Sequence, residues 1–385
     1  MENISYWAPC LDKVGTYSAV INSALSLGKY SKNSIKVNII NVCGEWDDKK
    51  DFLQKNNIEV IDINYSYFKY LPKTGFLSSR ISYVIISLLS IMPLIMFLKK
   101  KRPKFLIGHL ITALPIVLFN IFNFDTKFIL RISGYPKLNL FRKNLWKFLS
   151  KKIYNITCPS EDLKSQLIKD NIFLEKKLFF LPDPIINIKK IKNDINTFKI
   201  KKNINDKKYF IAVGRLTKQK NFLYLIDEFY DYSQNQKEYN LLIFGEGEER
   251  VKLEKKINDL ELNKKVFLMG FSEHVLSYMK QAEAFILSSL WEDPGFVIIE
   301  AAFCNLLVVS SDCNNGPNEF LLNGKGGILY EKNKKNKLKT SLNLFENLSE
   351  NKKDLMRLNA KKNCIKYTLL RHHNRLREIL NFNLS

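Results

Sequence analysis

The chain has 385 residues and a formal charge of +23, a length that exceeds one ordinary core and predicts two domains of similar size. With 46% hydrophobic and 12% aromatic residues, the composition excludes a disordered chain. The six cysteines, at 10, 43, 158, 304, 313 and 364, form no CxxC pair, which excludes a zinc ribbon or disulfide framework and fits a reducing compartment. The first ten residues carry no basic stretch followed by an apolar run, so no secretory signal is expected. The positive charge suits nucleic acid, an anionic membrane face or a polyphosphate substrate. Abundant Lys, Asn, Ile and Phe together also follow from an AT-rich genome without any such partner.

In chain order, short apolar runs alternate with longer helical stretches, the pattern of a parallel sheet with crossover helices. Strands are predicted at 4–8, 35–42, 58–63, 105–109, 128–132, 155–159 and 178–181. Residues 81–98 are almost uncharged and precede Lys99, Lys100, Lys101 and Arg102. They fit a buried or interface-lying helix, a monotopic membrane contact or a span, although spans usually need about 20 apolar residues. Leu181-Pro182-Asp183-Pro184 stops the last strand of this series. A lysine- and asparagine-rich stretch without period follows, giving a predicted linker at 186–207 between domains at 1–185 and 208–365. The second series predicts strands at 209–213, 241–244, 266–269, 284–287, 307–310 and 327–330. The tail from 336 to 380 reads as helical, and residues 366–385 are expected to pack back on the first domain.

Two segments carry chemistry. The run 290–302 places Glu292 and Glu300 with seven residues between them, around a glycine loop that opens a helix near Phe296. Backbone N–H groups at that helix start can hold a diphosphate; the plain alternative is a loop and amphipathic helix with two solvated acids. The run 210–221 is an apolar strand ending in Gly214 and Arg215, with Lys220 at the mouth of the next helix. Cations at the carboxyl end of a parallel strand are well placed for a departing diphosphate. A lysine-rich turn accounts equally for Lys218 and Lys220, less easily for Arg215.

Together these segments resemble the retaining GT-B glycosyltransferases of family 4, whose pattern is a Gly-Arg-Leu…Lys turn followed by a glutamate-x7-glutamate loop and helix. The run Val308 to Glu319 is similar to bacterial cell-surface polysaccharide and lipopolysaccharide members, and 244–248 and 267–271 match the nucleotide domain's other loops. The resemblance spans about 208–330 and is weaker but collinear before that. It implies an α/β GT-B fold, two Rossmann-like parallel-sheet domains facing a central cleft, with a C-terminal helix crossing back. It also implies that Arg215 and Lys220 neutralise the donor diphosphate and that Glu292 binds hydroxyls of the transferred sugar. Gly295, Phe296 and Val297 would contact sugar and distal phosphate, Glu300 the ribose, and Gly270 and Phe271 the base. In the first half Gly15 resembles the family's glycine loop, with one glycine where many relatives have two. His109 matches a histidine that approaches the donor sugar, and Ser133 stands where acceptor contacts are expected. His274, His372 and His373 have no such support and read as surface residues.

The expected reaction is retaining transfer of a hexose or N-acetylhexosamine from a nucleotide diphosphate sugar, UDP rather than GDP, to a lipid-linked or polysaccharide acceptor. No cofactor and no metal are expected, since no DxD pair or His/Cys cluster stands at a strand end. A nucleotide-sugar epimerase would share fold and diphosphate site. A nicotinamide dehydrogenase is disfavoured because no GxGxxG follows 4–8 or 209–213. Nucleic acid is not an expected partner, because the lysines are scattered without a recognised motif; a non-catalytic membrane scaffold remains the third class. Cytoplasmic location, peripheral at the inner face of a bacterial membrane, is the expectation.

Overall fold

In a computed structural model the described residues are 2–11, 15–31, 34–63, 66–72, 78–136, 139–189, 191, 193, 207–234, 239–292 and 294–381. The chain divides into two compact units, Met1–Ile185 with Leu369–Ser385, and Ile186–Thr368. Most of the predicted linker, 194–206, lies outside the described residues. Ile186 pairs with Thr368 in an isolated parallel bridge.

The first unit holds a seven-stranded, all-parallel sheet in the order β3-β2-β1-β4-β5-β6-β7. Its strands are β1 Glu2–Trp7, β2 Ile35–Asn41, β3 Ile58–Asp62, β4 Phe105–Gly108, β5 Lys127–Arg131, β6 Asn155–Cys158 and β7 Leu178–Phe180. Its helices are α1 Gly15–Tyr30, α2 Lys50–Lys55, α3 Ser78–Leu89, α4 Ile91–Lys101, α5 Ala113–Ile121, α6 Leu140–Leu149 and α7 Glu161–Lys169. Both faces of the sheet are covered, so β4 and the inner residues of β5, Phe128–Leu130, are apolar throughout rather than alternating, while β1 and β2 bury Ser5, Asn38 and Asn41 among their apolar residues. One core gathers Leu106, Phe128, Leu130 and Ile156 with α4, α5 and α7. The other gathers Ile4, Tyr6, Val37 and Ile107 with α1 and the C-terminal residues Leu369, Leu376 and Ile379.

The second unit holds a six-stranded parallel sheet in the order β10-β9-β8-β11-β12-β13. These are β8 Tyr209–Val213, β9 Asn240–Phe244, β10 Val266–Gly270, β11 Ala284–Leu287, β12 Leu307–Ser311 and β13 Ile328–Tyr330. Around it run α8 Phe222–Ser233, α9 Arg250–Asp259, α10 Val275–Gln281, α11 Phe296–Phe303, α12 Pro317–Phe320, α13 Lys337–Asn347 and α14 Glu350–Asn363. The last helix, α15 Leu369–Ile379, belongs to the first unit and packs on α1.

Each sheet therefore starts at an inner strand, winds outward, then reverses. The reversal lies between β1 and β4 in one and between β8 and β11 in the other. In open α/β sheets the loops at the carboxyl ends of the two strands flanking such a reversal splay apart and leave a crevice for ligands.

Residues 81–98 do not form one helix. They are shared between α3 and α4, bent by 44° around Ser90, and among the described residues no single helix is long and apolar enough to cross a membrane.

Candidate active site

At the β8/β11 reversal the loop after β8 is built around missing side chains. Gly214 continues the ladder by donating its N–H to Phe244 O at 2.9 Å. A Cβ on Gly214 would stand 2.9 to 3.1 Å from the methylenes of Lys220, so the lysine stem lies directly over this glycine. Gly245 has φ +135°, and a Cβ there would come within 1.9 Å of Gly214 O; no other residue lets the β8 and β9 loops approach so closely. Leu216 N–H donates to Glu246 O, and Lys220 N–H closes the turn onto Thr217 O. Arg215 stands exposed at the start of this loop, before the turn.

The loop after β11 is stitched to that turn. Ser288 Oγ donates to Lys220 O at 2.7 Å, Leu290 N–H to Gln219 O at 2.9 Å, and Gln219 Nε2 to Trp291 O at 2.9 Å. Lys220 Nζ then meets Glu292 Oε1 at 2.6 Å, with the two side chains 13% and 5% exposed. Ser289 Oγ donates to the same carboxylate oxygen at 2.5 Å. Glu292 N–H donates to Asn314 O, so the β12 loop supports it from the other side. Gly316, at φ +141°, completes that support, because a Cβ would lie 2.1 Å from Pro294 O.

Asp293 lies outside the described residues. Gly295, at φ +86°, caps α11 in the left-handed region. Gly295 precedes the helix, and Phe296 and Val297 occupy its first turn, where amides have no intrahelical acceptor. With the helix dipole they form a ready site for an anion. Glu300 lies further along α11, half-buried. A register shift between Leu268 and Gly270 ends β10, and Gly270 O accepts from Gly245 N–H at 2.8 Å. Gly270 thus joins the same loop cluster, and Phe271 beside it is 77% exposed.

The structure therefore brings Lys220 and Glu292 into contact and sets Gly270 and the Gly295 loop at the carboxyl edge of the same sheet. Sequence reasoning missed Ser289 and Asn314, which orient Glu292. The tandem Ser288-Ser289 at the end of an apolar strand was a usable signal for the first; nothing local marked the second.

In the first unit, His109 follows β4 at the β1/β4 reversal, its N–H donating to Trp7 O at 2.8 Å. The ring is buried, 6.0 Å from that of Tyr6. Burial first, then the Arg131 charge and His372, hold its pKa well below the ordinary histidine value, so it is a neutral imidazole. Its Nδ1 has no hydrogen-bond partner among the described residues, and His109 lines a cavity of about 10 Å³ together with Arg131, Asp183, Thr157 and His372, room for about one water. Ser133 is half-buried beyond β5, and Gly15 is exposed at the start of α1; the loop before it, 12–14, lies outside the described residues. Arg131, two residues before Ser133, does not face solvent: it is buried on Asp183 at 2.7 Å and donates to Leu181 O at 2.7 Å.

His372 and His373 are not surface residues. Both are buried on α15, where they occupy core-facing positions between Leu369 and Leu376. Ser23 Oγ and His372 Nε2 are 2.8 Å apart, His372 Nδ1 meets Pro182 O at 2.8 Å, and His373 Nε2 meets Ser31 Oγ at 3.1 Å. Hydrogen bonding on both ring nitrogens is what lets an imidazole replace a leucine there. His274 is exposed.

Residues 194–363 match the family model described as Glycosyl transferases group 1. An uncharacterized glycosyltransferase of Methanocaldococcus jannaschii is 30% identical over 58% of this chain and 59% of its own length. The N-acetylgalactosamine-N,N'-diacetylbacillosaminyl-diphospho-undecaprenol 4-alpha-N-acetylgalactosaminyltransferase of Campylobacter jejuni is 34% identical over 34% of this chain and 35% of its own. The chain thus spans between about a third and three fifths of these relatives. Among solved structures, Anabaena HepE in complex with UDP and glucose superposes with a TM-score of 0.73 over 99% of this chain and all of that one, at 14% identity. The chain therefore has the two-sheet fold of the GT-B glycosyltransferases, and most of its second unit is similar to the Glycosyl transferases group 1 family.

Proposed function

We propose that this chain is a glycosyltransferase that binds a nucleotide diphosphate sugar at the carboxyl edge of its second sheet. The observation that carries the reading is the Lys220–Glu292 pair at the β8/β11 reversal, beside the opening amides of α11. A cation, a carboxylate and a helix N-terminus lie together there, which supports a site for a leaving diphosphate and its sugar. UDP is the proposed nucleotide, supported by the fold shared with HepE, which was solved with UDP and glucose.

In this proposal the acceptor hydroxyl oxygen bonds to the anomeric carbon as the bond from that carbon to the β-phosphate oxygen breaks. The electron pair leaves on the diphosphate, and the hydroxyl proton passes to the departing oxygen on the same face, giving retention. Arg215, Lys220 and the amides of Gly295, Phe296 and Val297 take up the growing charge, without a divalent ion. Each buried donor aimed at such charge is worth about 2.7–4 kcal/mol of barrier. Glu292, held by Ser289 and Lys220, orients sugar hydroxyls; Glu300 holds the ribose, and Gly270 and Phe271 line the base. Gly15, His109 and Ser133 keep their proposed roles toward phosphate, sugar and acceptor. The acceptor is proposed to be a lipid-linked or polysaccharide glycan at the inner face of a bacterial membrane, a class to which the C. jejuni relative's name points.

A panel of nucleotide sugars tested for thermal stabilisation, followed by product analysis with and without EDTA, tests this. UDP-sugars are expected to raise the melting temperature, and the product to keep the donor's anomeric configuration in EDTA. Inversion, or activity that EDTA abolishes, would remove those parts of the mechanism; a donor that is only hydrolysed or epimerised would remove the transferase.

A further inference from the structure

We propose that Arg131 is a positioning residue for His109: one water held between Arg131 Nε–H and His109 Nδ1 fixes the imidazole as the tautomer protonated on Nε2, a hydrogen-bond donor. The sugar contact that this donor serves rests on the function proposed above; the tautomer rests on the geometry of the first unit alone.

The register of the sheet sets the residues side by side. β4 and β5 pair Ile107 with Ile129 and Gly108 with Leu130, and β5 and β6 pair Arg131 with Thr157. The ladder runs on through His109, whose N–H donates to Trp7 O, so one further step on β4 brings His109 level with Arg131. His109, Arg131 and Thr157 thus stand abreast on three neighbouring strands, about 4.8 Å from one to the next. Alternation along a strand puts them on the face of Ile107 and Ile129, the face covered by α1 and α15. All three line the same cavity of about 10 Å³, together with Asp183 and His372.

The neighbouring polar groups are committed, and the direction of each bond follows. Pro182 O can only accept, so His372, kept neutral by burial, holds its proton on Nδ1. His372 Nε2 must then accept from Ser23 Oγ–H at 2.8 Å, and Ser23 Oγ in turn accepts from Tyr6 O–H at 2.8 Å. Arg131 donates Nη1–H to Leu181 O, and its Nη2 lies 2.7 Å from Asp183 Oδ1. Arg131 Nε, a donor, and His109 Nδ1 are left, both sealed from solvent and without a hydrogen-bond partner among the described residues. Leaving either unmatched costs the desolvation of a buried polar group. A water fits a cavity of this size, accepts from Arg131 Nε–H and donates to Nδ1, which then presents its lone pair and leaves the ring proton on Nε2. The guanidinium enforces the same choice, because an N–H turned toward a cation is repelled. Stability alone does not account for Arg131, since a buried ion pair is often no better than apolar side chains of the same volume. Pro184 confines the backbone of Asp183 to extended conformations, which keeps the carboxylate on the guanidinium. The charged and titratable groups around His109 are therefore Arg131 from β5, Asp183 from the segment after β7 and His372 from α15, with the Tyr6 ring of β1 6.0 Å away.

Ring nitrogen NMR of the labelled full chain at neutral pH tests the tautomer, with His109→Gln assigning the resonances among the four histidines. His109 is expected as a single tautomer, protonated on Nε2 and bare on Nδ1. A ring averaged between tautomers, or protonated on Nδ1, overturns the proposal. Arg131→Met with Asp183→Leu removes the guanidinium without stranding the carboxylate, and this pair is expected to release His109 into a mixture of tautomers. Activity separates positioning from a merely structural role. With the nucleotide sugar that most stabilises the chain, kcat/KM for UDP release is expected to fall roughly tenfold in the pair variant, about one hydrogen bond's worth. It should fall equally in His109→Gln and no further in the triple variant. Losses that multiply in the triple variant show that Arg131 acts independently of His109, and the proposal fails. If the pair variant does not fold, a crystal structure of the wild type decides. Density for a water within hydrogen-bonding reach of both Arg131 Nε and His109 Nδ1 supports the proposal, and a dry cavity overturns it. A fixed tautomer that the pair variant releases, with wild-type turnover in His109→Gln, would keep the role of Arg131 and remove the sugar contact of His109 from the proposed function instead.

Discussion

Glu292 and Lys220 satisfy each other in the unliganded chain, and this sets what their removal should do. Glu292→Gln keeps the shape and the Ser289 contact but leaves a mostly buried ammonium without a counter-charge, an expected loss of about 1–3 kcal/mol. Lys220→Met leaves the carboxylate in the same position. Because each single change strands the other partner, the double variant should be more stable than the sum of the singles predicts, by about 0.5–3 kcal/mol. Urea denaturation of the four proteins measures this, and additivity within about 0.3 kcal/mol would show that the pair is uncoupled. Gly245→Ala attacks the same loops through the backbone. At φ +135° with Gly214 O only 1.9 Å from the new Cβ, it should cost on the order of 3 kcal/mol. It should also lower donor affinity, because the turn carrying Arg215 must move; a wild-type urea midpoint would contradict that geometry.

At the scale of elements, helix α15 makes the first unit sensitive to acid. Burial, the dominant cause, with Arg131 and His373 adding to it, holds His372 down to about 3 against the hydrogen bond that its Nδ1–H donates to the Pro182 carbonyl, which raises it. An unfolded histidine titrates near 6.5. Below that pH the unfolded chain takes up a proton that the folded chain refuses until about pH 3, so the stabilisation is complete above about 6.5 and is lost as pH falls. The limiting slope is about 1.4 kcal/mol per pH unit for one group; His109 and His373, also lowered, act in the same direction. His372→Gln should flatten the decline in melting temperature between pH 7 and 5, and an unchanged slope would refute the assignment. The burial behind this was not legible in the sequence. Strands such as Tyr209–Val213 and Ala284–Leu287 were, because a strand covered on both faces is a bare apolar run between turn residues. The histidines of α15 sit in a charged tail, and their partners Ser23 and Pro182 are 349 and 190 residues away. The 81–98 run misled in the other direction, since apolarity on two sides of a bent pair looks in sequence like one continuous helix. At the candidate site the glycines and the Lys220 and Glu292 positions were readable from local pattern, whereas the Asn314 support comes from another strand's loop.

For the whole molecule, the chain's path makes the two units unequal as folding entities. The second, Ile186–Thr368, is one continuous piece with its own core of Phe210, Ile226, Phe229, Ile243, Leu307 and Leu342. Expressed alone, it should unfold cooperatively and gain thermal stability from UDP, because every residue proposed to hold the nucleotide except Gly15 lies within it. The first unit closes only when the chain returns: Leu369, Leu376, Ile379 and Leu380 are buried in its core, and Asn155 Nδ2 donates to Ile379 O at 2.8 Å. Burying such side chains is worth about 1.5–3 kcal/mol each, so removing four of them forfeits at least roughly 6 kcal/mol. That approaches the whole stability of an ordinary domain, about 5–15 kcal/mol. A fragment ending at Ile185 should therefore fail to melt cooperatively, and co-expression with residues 369–385 should restore the transition. A fragment 1–185 that melts as sharply without the tail as with it would mean that α15 decorates the first sheet rather than completing it, and the acid sensitivity argued for His372 would then lose its structural basis as well.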